Sequence, residues 1–275
     1  MPEDVEALVQ FDDVSTQFGD LWALRDVSFG LRKSETRIIF GAAGSGKTTL
    51  LKAAIGLIQP DSGKICLFGE EITNRSEHAL FALRAKAGML FQESALFDSL
   101  TVRENVEYPL RNQQSETPLT EEEMEGRVRE ALRFVELEHT LDKLPSELSG
   151  GMRRRVGIAR AIVTEPPLVL YDSPTAGLDP ITANTIMALI AKERDVRQTA
   201  SLIVTHRFQD GELMANFRYD AGTEELVPVP ESGGDSTERA LTKFFVMKEG
   251  EIVFSGSREQ LDQATDPYVR RFAKH

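Results

Sequence analysis

Residues 41–48 form a glycine-rich segment, GAAGSGKT, whose residue types suit phosphate binding. The segment fits the pattern G-x-x-x-x-G-K-[ST] and stands between a predicted strand and a predicted helix. Its glycines let successive backbone N–H groups point inward at phosphate oxygens, and the helix N-terminus adds partial positive charge. Lys47 supplies a cation for the phosphates, and the Thr48 hydroxyl is an oxygen ligand for Mg²⁺. We therefore predict a phosphate loop, with these nucleotide-binding residues: Gly41, Ala42, Ala43, Gly44, Ser45, Gly46, Lys47, Thr48 and Thr49.

A carboxylate ends the apolar run LVLYD at residues 168–172, although a buried strand would normally avoid a charge. The carboxyl ends of parallel strands converge on one site in a sheet. Asp172 is therefore predicted to be the second anchor for Mg²⁺, acting mostly through coordinated water because this ion dehydrates reluctantly. The next residue is Ser173, where chemistry at such a strand end would often require a second acid.

A second anion-binding helix start is predicted in the segment LSGGMRRRVGIARAI, residues 148–162. Ser149, Gly150 and Gly151 stand where this helix begins, so the N-terminal partial charge is available there too. Two phosphate-binding helix ends in one chain suggest that two chains face each other and complete each other's sites.

The elements that position these residues alternate between strand and helix. The first 31 residues are predicted to be β, and the phosphate loop leads into a helix that stops at Pro60. Residues 62–72 predict another strand, residues 76–164 are largely helical, and β structure returns in PPLVLYD, SLIVTH and KFFVMKEGEIVFSG. Residues 220–238, rich in Gly, Pro, Ser and acid, are predicted to be a mobile insertion. The order indicates an α/β body with a helical insertion and antiparallel strands at one edge.

Composition limits the kinds of partner that this chain can have. The 275 residues carry a net charge of −12, which argues against nucleic acid or an anionic membrane surface as the main electrostatic partner. The single cysteine excludes an internal disulfide framework and suits a reducing compartment. No apolar stretch approaches ~18 residues, and the N-terminus is acidic, unlike a signal peptide. If the protein serves a membrane, we expect it to do so through a partner.

Taken together and in this order, the motifs resemble those of the ATP-binding-cassette (ABC) ATPases, whose signature is the LSGG segment. The resemblance covers residues 5–220 and 240–256. It implies that Phe18 stacks on adenine, that Gln92 senses Mg²⁺ and the transporter partner, that Asp179 contacts the opposite subunit, and that His206 lies at the γ-phosphate. It also implies ATP and Mg²⁺ as ligands. The residues then expected to act in hydrolysis are Lys47, Gln92, Ser173 and His206; those expected at the metal are Thr48, Gln92 and Asp172; the further nucleotide contacts are Phe18, Ser149, Gly150, Gly151 and Asp179.

The same resemblance implies a P-loop NTPase fold with a mainly parallel core sheet, an antiparallel β edge and an inserted α-helical subdomain. We expect residues 1–92 and 160–275 to form the nucleotide-binding core and residues 93–159 to form the helical signature subdomain. ATP would join two copies of the chain head to tail, and the face near residues 92–105 would drive a permease. The chain would then be a peripheral subunit at the cytoplasmic face of the inner (plasma) membrane.

Finer similarity points to the ATPases of Mla-type phospholipid-transport systems, which work with a permease and a lipid-binding MCE-domain protein. The segments that carry it are ALFDSLTVRENVEYPLR, LPSELSGGMRRRVGIARAI, GLDPITANTI and DPYVRRF. Two alternatives stay open: an ATP-gated binding module with little hydrolysis, and the ATPase of a small-solute importer. In the tail, Tyr268, Val269 and Phe272 are expected either to dock on a neighbouring chain or to pack on their own.

Ser173 departs from the family, in which the residue after the strand-end aspartate is usually a glutamate that polarises the attacking water. A serine hydroxyl can hold a water, but at neutral pH it is a very poor base. Hydrolysis is then slow with His206 orienting the water, or a carboxylate such as Glu93 substitutes. A competent partner cassette, or a residue altered to trap the ATP state, would also explain the serine.

Overall fold

The computed structural model describes residues 7–112, 118–229 and 241–273. In chain order the strands are β1 (Val9–Phe18), β2 (Leu21–Leu31), β3 (Thr36–Gly41), β4 (Ser62–Leu67), β5 (Glu70–Glu71), β6 (Ala87–Leu90), β7 (Leu168–Asp172), β8 (Ala200–Val204), β9 (Phe217–Asp220), β10 (Glu225–Pro228), β11 (Thr242–Lys248) and β12 (Glu251–Gly256). The α-helices are α1 (Lys47–Ala54), α2 (Glu77–Arg84), α3 (Val102–Arg111), α4 (Glu121–Phe134), α5 (Gly150–Ile162), α6 (Pro180–Arg197), α7 (Phe208–Asn216) and α8 (Arg258–Asp262). Short 3₁₀ turns occupy Glu138–Thr140, Pro145–Glu147 and Val269–Phe272.

A six-stranded sheet of order β12–β11–β3–β8–β7–β6 brings the predicted site residues to one edge. Strands β11, β3, β8, β7 and β6 run parallel, and β12 pairs antiparallel with β11 at one side. The strand before the phosphate loop, β3, and the strand ending in Asp172, β7, are both neighbours of β8. Their carboxyl ends therefore open at the same edge, as predicted from the sequence.

The core lies on both faces of this sheet because its strands are buried and their side chains alternate. On β3, Ile38 and Phe40 belong to the core cluster that includes residues of α3, α4, α5 and α6, whereas Ile39 belongs to the cluster of α1 and the antiparallel sheet. That second sheet has the order β2–β1–β4–β5. The predicted α/β body with a parallel core, an antiparallel β edge and a helical insertion is thus confirmed.

Helix α1 ends at Ala54, before the Pro60 at which the sequence analysis placed its end. Gly56 has φ of 69°, a left-handed conformation that glycine adopts without strain. Its N–H donates to the Ala53 carbonyl, and the N–H of Leu57 donates to the carbonyl of Lys52. These paired bonds form a Schellman motif, which closes the helix without proline.

Two segments differ from the helical and mobile structure that the sequence suggested. Within the largely helical region, Ala87–Leu90 forms β6 and pairs parallel with β7 at the sheet edge. At the start of the expected mobile insertion, Glu225–Pro228 pairs antiparallel with Phe217–Asp220 as a hairpin. Residues 230–238 of that insertion lie outside the described residues. Helix α5 continues to Ile162, past the expected subdomain boundary at residue 160, and the division itself stays a prediction.

The C-terminal tail packs on its own chain. Val269 is buried against the larger core cluster, and the Phe272 ring stacks on Phe40 with centroids 6.0 Å apart. Of the two expectations for the tail, intrachain packing is therefore the arrangement in this structure. Along the described ranges, no helix combines the length and the apolar character needed to cross a bilayer.

Candidate functional site

The phosphate loop follows β3 and turns directly into α1. Its last glycine, Gly46, has φ of 101°, and a Cβ there would lie 1.9 Å from the Ala23 carbonyl oxygen. At the loop's first residue, a Cβ on Gly41 would lie 2.6 Å from the Met247 carbonyl oxygen. Only glycine therefore fits these two positions, and the resulting turn leaves the first N–H groups of α1 directed out of the helix.

Lys47 folds back over the loop and binds its oxygens. Its Nζ donates to the carbonyls of Gly41 (2.9 Å) and Ala42 (2.7 Å) and to the Ser45 hydroxyl (3.2 Å). Burial lowers the pKa of Lys47, and the nearby Asp172 carboxylate opposes that shift. The loop thus holds a partly desolvated cation at its centre, which is the charge that a polyphosphate would need.

Thr48 and Asp172 meet across the sheet edge. The Thr48 hydroxyl donates to Asp172 Oδ2 at 3.0 Å, and Asp172 is only 4% exposed. A hydroxyl and a carboxylate are hard oxygen donors of the kind that Mg²⁺ prefers, with water and substrate oxygens supplying the remaining ligands. Within residues 7–112, 118–229 and 241–273 there is no group of three or more His, Cys, Asp and Glu residues placed to hold a metal. The donors present fit Mg²⁺ and do not form an all-protein cage.

A cavity of about 290 Å³ lies beside the loop. Phe18, which is 55% exposed, forms part of its wall. The full lining consists of Phe18, Leu21, Trp22, Ala23, Gly44, Ser45, Gly46, Lys47, Thr48 and Thr49. Because aromatic and aliphatic surface here adjoins the phosphate loop, the cavity has room for a base next to its phosphates.

Ser173 adjoins Asp172 in a left-handed backbone conformation, with φ of 49°. Its hydroxyl donates to Asp172 Oδ1 at 3.3 Å, and its N–H donates to the Val204 carbonyl at 2.9 Å. His206, just beyond β8, is exposed. Gln92 and Glu93, just beyond β6, are exposed too. The structure therefore brings Ser173 against Asp172 and leaves His206 and Gln92 exposed beyond the ends of β8 and β6, the two strands that flank β7.

Arg154 is a connecting residue that the sequence analysis did not identify. Although it belongs to α5, it is only 7% exposed, and its guanidinium donates to the carbonyls of Phe91 (3.2 Å) and Gln92. It also donates to the Ala176 carbonyl at 3.3 Å. Its spacing of four residues from Ile158 places it on the buried face of the helix, but that spacing does not indicate its partners. Arg154 links the signature helix to the segments after β6 and β7.

Asp210 is a second residue that the motifs did not indicate. It is 1% exposed, and its Oδ2 accepts hydrogen bonds from the hydroxyls of Thr175 and Thr205, both at 2.6 Å. Burial raises the pKa of Asp210, against the effect of these bonds. The residue joins the segment that follows Ser173 to the segment that precedes His206.

The signature residues lie at the start of α5, away from this cavity. Ser149 caps the helix by accepting from the Met152 N–H at 3.2 Å, and both Ser149 and Gly150 are exposed. Asp179 caps α6 in the same way, accepting from the N–H groups of Ile181 and Thr182. A Cβ at Gly151 would lie 2.6 Å from Thr182 Cγ2, so the two helix starts adjoin. No signature residue lines the cavity beside the phosphate loop in the described part of the chain.

The parallel sheet, the glycine loop at a strand–helix junction and the Thr48–Asp172 pair define a P-loop nucleotide-binding cassette. More closely, the chain belongs to the ABC transporter family, whose model matches residues 24–176. It is an ATP-binding subunit of that family, and the family's cassettes bind and hydrolyse ATP.

Relatives of this chain include ATPases of different transporters. It is 34% identical to the intermembrane phospholipid transport system ATP-binding protein MlaF of Escherichia coli (strain K12), over 99% of this chain and 90% of that protein. It is 37% identical to the sulfate/thiosulfate import ATP-binding protein CysA of Synechococcus elongatus, over 75% of this chain and 57% of that protein. Among solved structures, it is similar to a dimeric ATP-binding cassette in a post-hydrolysis state with ADP and Pi, with a TM-score of 0.73, 28% identity and coverage of 90% of this chain and 98% of that one.

Proposed function

We propose that this chain is the ATPase of a phospholipid transporter and drives a separate permease at the cytoplasmic face of the inner membrane. The observation that carries the proposal is the similarity to the phospholipid-transport ATPase along 99% of this chain. The similarity to the sulfate importer's ATPase takes in 75% of the chain. A small-solute importer, the alternative, would use the same nucleotide site with a different permease and cargo.

At the nucleotide site, Phe18 stacks on adenine and the loop N–H groups bind the phosphates. Lys47 exchanges its bonds to the Gly41 and Ala42 carbonyls for bonds to the β- and γ-phosphates, which is favourable because these bonds are charge-assisted. Thr48 and Asp172, which share a hydrogen bond of 3.0 Å, would hold Mg²⁺ together with the Gln92 side chain. When bound, Mg²⁺ neutralises charge on the phosphate oxygens.

Two copies of the chain enclose each nucleotide. Ser149, Gly150 and Gly151 of one copy face the nucleotide held by the phosphate loop of the other, and Asp179 contacts the opposite copy. The exposure of Ser149 and Gly150 supports this arrangement, as does the dimeric state of the similar cassette. The helical region that includes α3, α4 and the start of α5 moves relative to the parallel sheet when the dimer closes.

Hydrolysis in this dimer is slow. The Ser173 hydroxyl donates to Asp172 and keeps its lone pairs for a water molecule, but it cannot take a proton at neutral pH. His206 orients the attacking water and stabilises the developing charge. General-base assistance contributes typically ~10²–10⁴-fold to a rate, so its loss lowers turnover by a factor of that order. Binding is retained because the phosphate loop, Lys47, Thr48 and Asp172 are all present.

An apolar groove is the docking surface for the permease. It has a volume of about 590 Å³, and its walls include Phe81, Phe97 and Tyr108. The rings of Phe97 and Tyr108 lie 4.7 Å apart. Phe91, whose carbonyl accepts from Arg154, also lines the groove and directly precedes Gln92. When the dimer closes on the nucleotide, the movement is therefore passed to the groove and its bound permease through Gln92 and Arg154.

The test is purification of the tagged chain from its native membranes in mild detergent, followed by identification of the proteins and lipids bound. We expect two copies of this chain, an integral-membrane permease, an MCE-domain protein and bound phospholipid. Recovery of a solute permease with no phospholipid would overturn the phospholipid assignment. As a variant for this test, Phe97→Asp should release the permease and keep ATP binding, whereas Val253→Asp, at another exposed apolar residue, should change neither.

ATP turnover by the assembled complex separates a transporter ATPase from an ATP-gated binding module. Turnover that rises when the permease is present supports the proposal. Closure and opening with ATP, without phosphate release above background, would instead favour the binding module.

A further inference from the structure

The tail and the phosphate loop are linked by the hydroxyl of Tyr268. This hydroxyl accepts a hydrogen bond from the Ala42 N–H at 3.1 Å and donates one to the Met247 carbonyl at 2.9 Å. Ala42 is the second residue of the loop, and Met247 pairs with Gly41 at the end of the β3–β11 ladder. The hydroxyl therefore bridges the two strands beyond the point where their pairing ends.

The tyrosine is held in place from several sides. Asp266 Oδ1 accepts from the N–H groups of Tyr268 (2.7 Å) and Val269 (3.1 Å) and so fixes the turn. The ring packs edge-on against Phe272 at 5.4 Å, and Lys248 Nζ lies 5.5 Å from its centroid. A phenol fixed in this way is a preformed acceptor for the loop N–H and does not lose side-chain freedom on nucleotide binding.

Ala42, whose N–H donates to Tyr268, is also bonded to the loop's cation. The Ala42 carbonyl accepts from Lys47 Nζ at 2.7 Å and from the Ser45 N–H at 3.2 Å. The orientation of Ala42 therefore determines both the backbone path from β3 into the loop and the position of the Lys47 amine before nucleotide binds. Without the bond to Tyr268, the Ala42 N–H would have to turn toward solvent, and the loop would have more conformations to lose when phosphate binds.

We propose that Tyr268 is a positioning residue for nucleotide binding, which preorganises the phosphate loop from the C-terminal tail through the Ala42 N–H. This inference rests on the proposed role of the loop in holding phosphates. It makes nucleotide affinity depend on the seating of residues 266–273, whose sequence lies far from the loop.

The test is Tyr268→Phe, which removes the hydroxyl and keeps the ring contacts. We expect the Kd for ATP and for ADP to rise about 2- to 10-fold, the range for loss of one hydrogen bond, with kcat at saturating ATP unchanged. The Ala42 amide should exchange its hydrogen faster in the nucleotide-free variant. The apparent Tm should stay close to that of the wild type because the packing of the ring is retained.

Tyr219→Phe is the matched control, since it deletes a tyrosine hydroxyl in the β9–β10 hairpin; neither affinity nor Ala42 exchange should change. Tyr268→Leu, which removes the ring as well, should weaken binding at least as much and also lower the Tm. An unchanged or tighter Kd in Tyr268→Phe, or unchanged Ala42 exchange, would overturn the inference. If the wild-type protein itself bound no nucleotide, the proposed function would fail instead.

Discussion

Helices α1 and α5 both begin at glycine-containing segments that the sequence marks as phosphate-binding, yet their N-termini differ. Helix α1 follows Gly46, and no side chain of the described residues caps it. Helix α5 follows Ser149, whose hydroxyl caps it by accepting from the Met152 N–H. The free N–H groups of α1 are therefore available to an anion, while α5 offers a serine hydroxyl and a glycine backbone.

Their surroundings differ as well. Beside α1 lie Lys47, the Thr48–Asp172 pair and a cavity, all supplied by the same chain. At α5, Ser149 and Gly150 are exposed, and a Cβ built on Gly150 meets no atom within 4 Å. The first N-terminus belongs to a site that can take a nucleotide within one chain. The second has donors at the surface, which suits completion of a site on another copy.

The largest expected effect is at the N-terminus of α1, which we call the enclosed end; the N-terminus of α5 is the exposed end. Lys47→Ala should raise the Kd for ATP by roughly 100-fold or more, because each lost charge-assisted bond to phosphate typically costs ~1.5–3 kcal/mol. The Tm of the nucleotide-free protein should hardly change, since Lys47 contacts the loop and not the core. Calorimetric titration measures the affinity, and Lys52→Ala, later on α1, is the control that should bind normally. If Lys47→Ala kept its ATP affinity, the N-terminus of α1 would not be the nucleotide site that distinguishes it from the N-terminus of α5.

At the exposed end, Gly150→Glu should abolish ATP-dependent dimerisation and leave the affinity of a single chain for ATP unchanged. The surrounding space accepts the side chain, and an acid at a helix N-terminus does not destabilise the fold. Its carboxylate would face the partner's phosphates, and such like-charge contact costs several kcal/mol. Sedimentation velocity with saturating Mg-ATP measures the dimer. Gly150→Ala fills the same position without charge and should still dimerise, and a dimer in both variants would contradict the interface.

Ser173 lies beside the enclosed end and should limit the rate without limiting binding. Ser173→Glu should raise phosphate release at saturating Mg-ATP by about tenfold or more, with Kd for ATP little changed. If the wild type is already fast and Ser173→Glu changes little, the base is elsewhere. Glu93→Gln then becomes the decisive variant, because Glu93 directly follows Gln92, which is expected at the metal.

The smallest effect is a dependence on pH that only the enclosed end should show. Burial lowers the pKa of Lys47, and bound phosphate would raise it again, so binding favours the protonated amine. Affinity for ATP should therefore fall as pH rises through this lowered pKa, at a lower pH than that at which an ordinary lysine loses its proton. Lys47→Arg keeps its charge at this pH and should show a flat profile. A fall of the same size in Lys47→Arg would assign the effect to another group.

Local patterns predicted most of this fold and the position of Asp172 beside the phosphate loop. The phosphate loop and Asp172 were identified because a few adjacent residues specify each one, and the sheet then brings them together. The end of α1 was misplaced because Pro60 was given more weight than Gly56, whose left-handed backbone stops the helix. Strand β6 was missed because Ala87–Leu90 is too short to show a period.

Long-range contacts were beyond sequence reasoning. Arg154 reaches Gln92, Asp210 accepts from Thr175, and Tyr268 accepts from Ala42, each across a wide separation in sequence. The residues that flank this arginine, aspartate and tyrosine in the sequence give no sign of these contacts. Only the packing of the elements reveals which backbone or hydroxyl groups each side chain meets.

The neighbours of β3 also determine when, during synthesis, the site can form. All six residues of β3 are buried, and its partners are β8 and β11, which lie far downstream. At the usual 5–20 residues per second, a ribosome reaches β8 roughly ten to thirty seconds after it has made β3. Until then β3 lacks both of its parallel partners, and the sheet edge that places Asp172 beside Thr48 is not assembled. ATP therefore stabilises only the completed cassette, because a ligand stabilises the state that binds it.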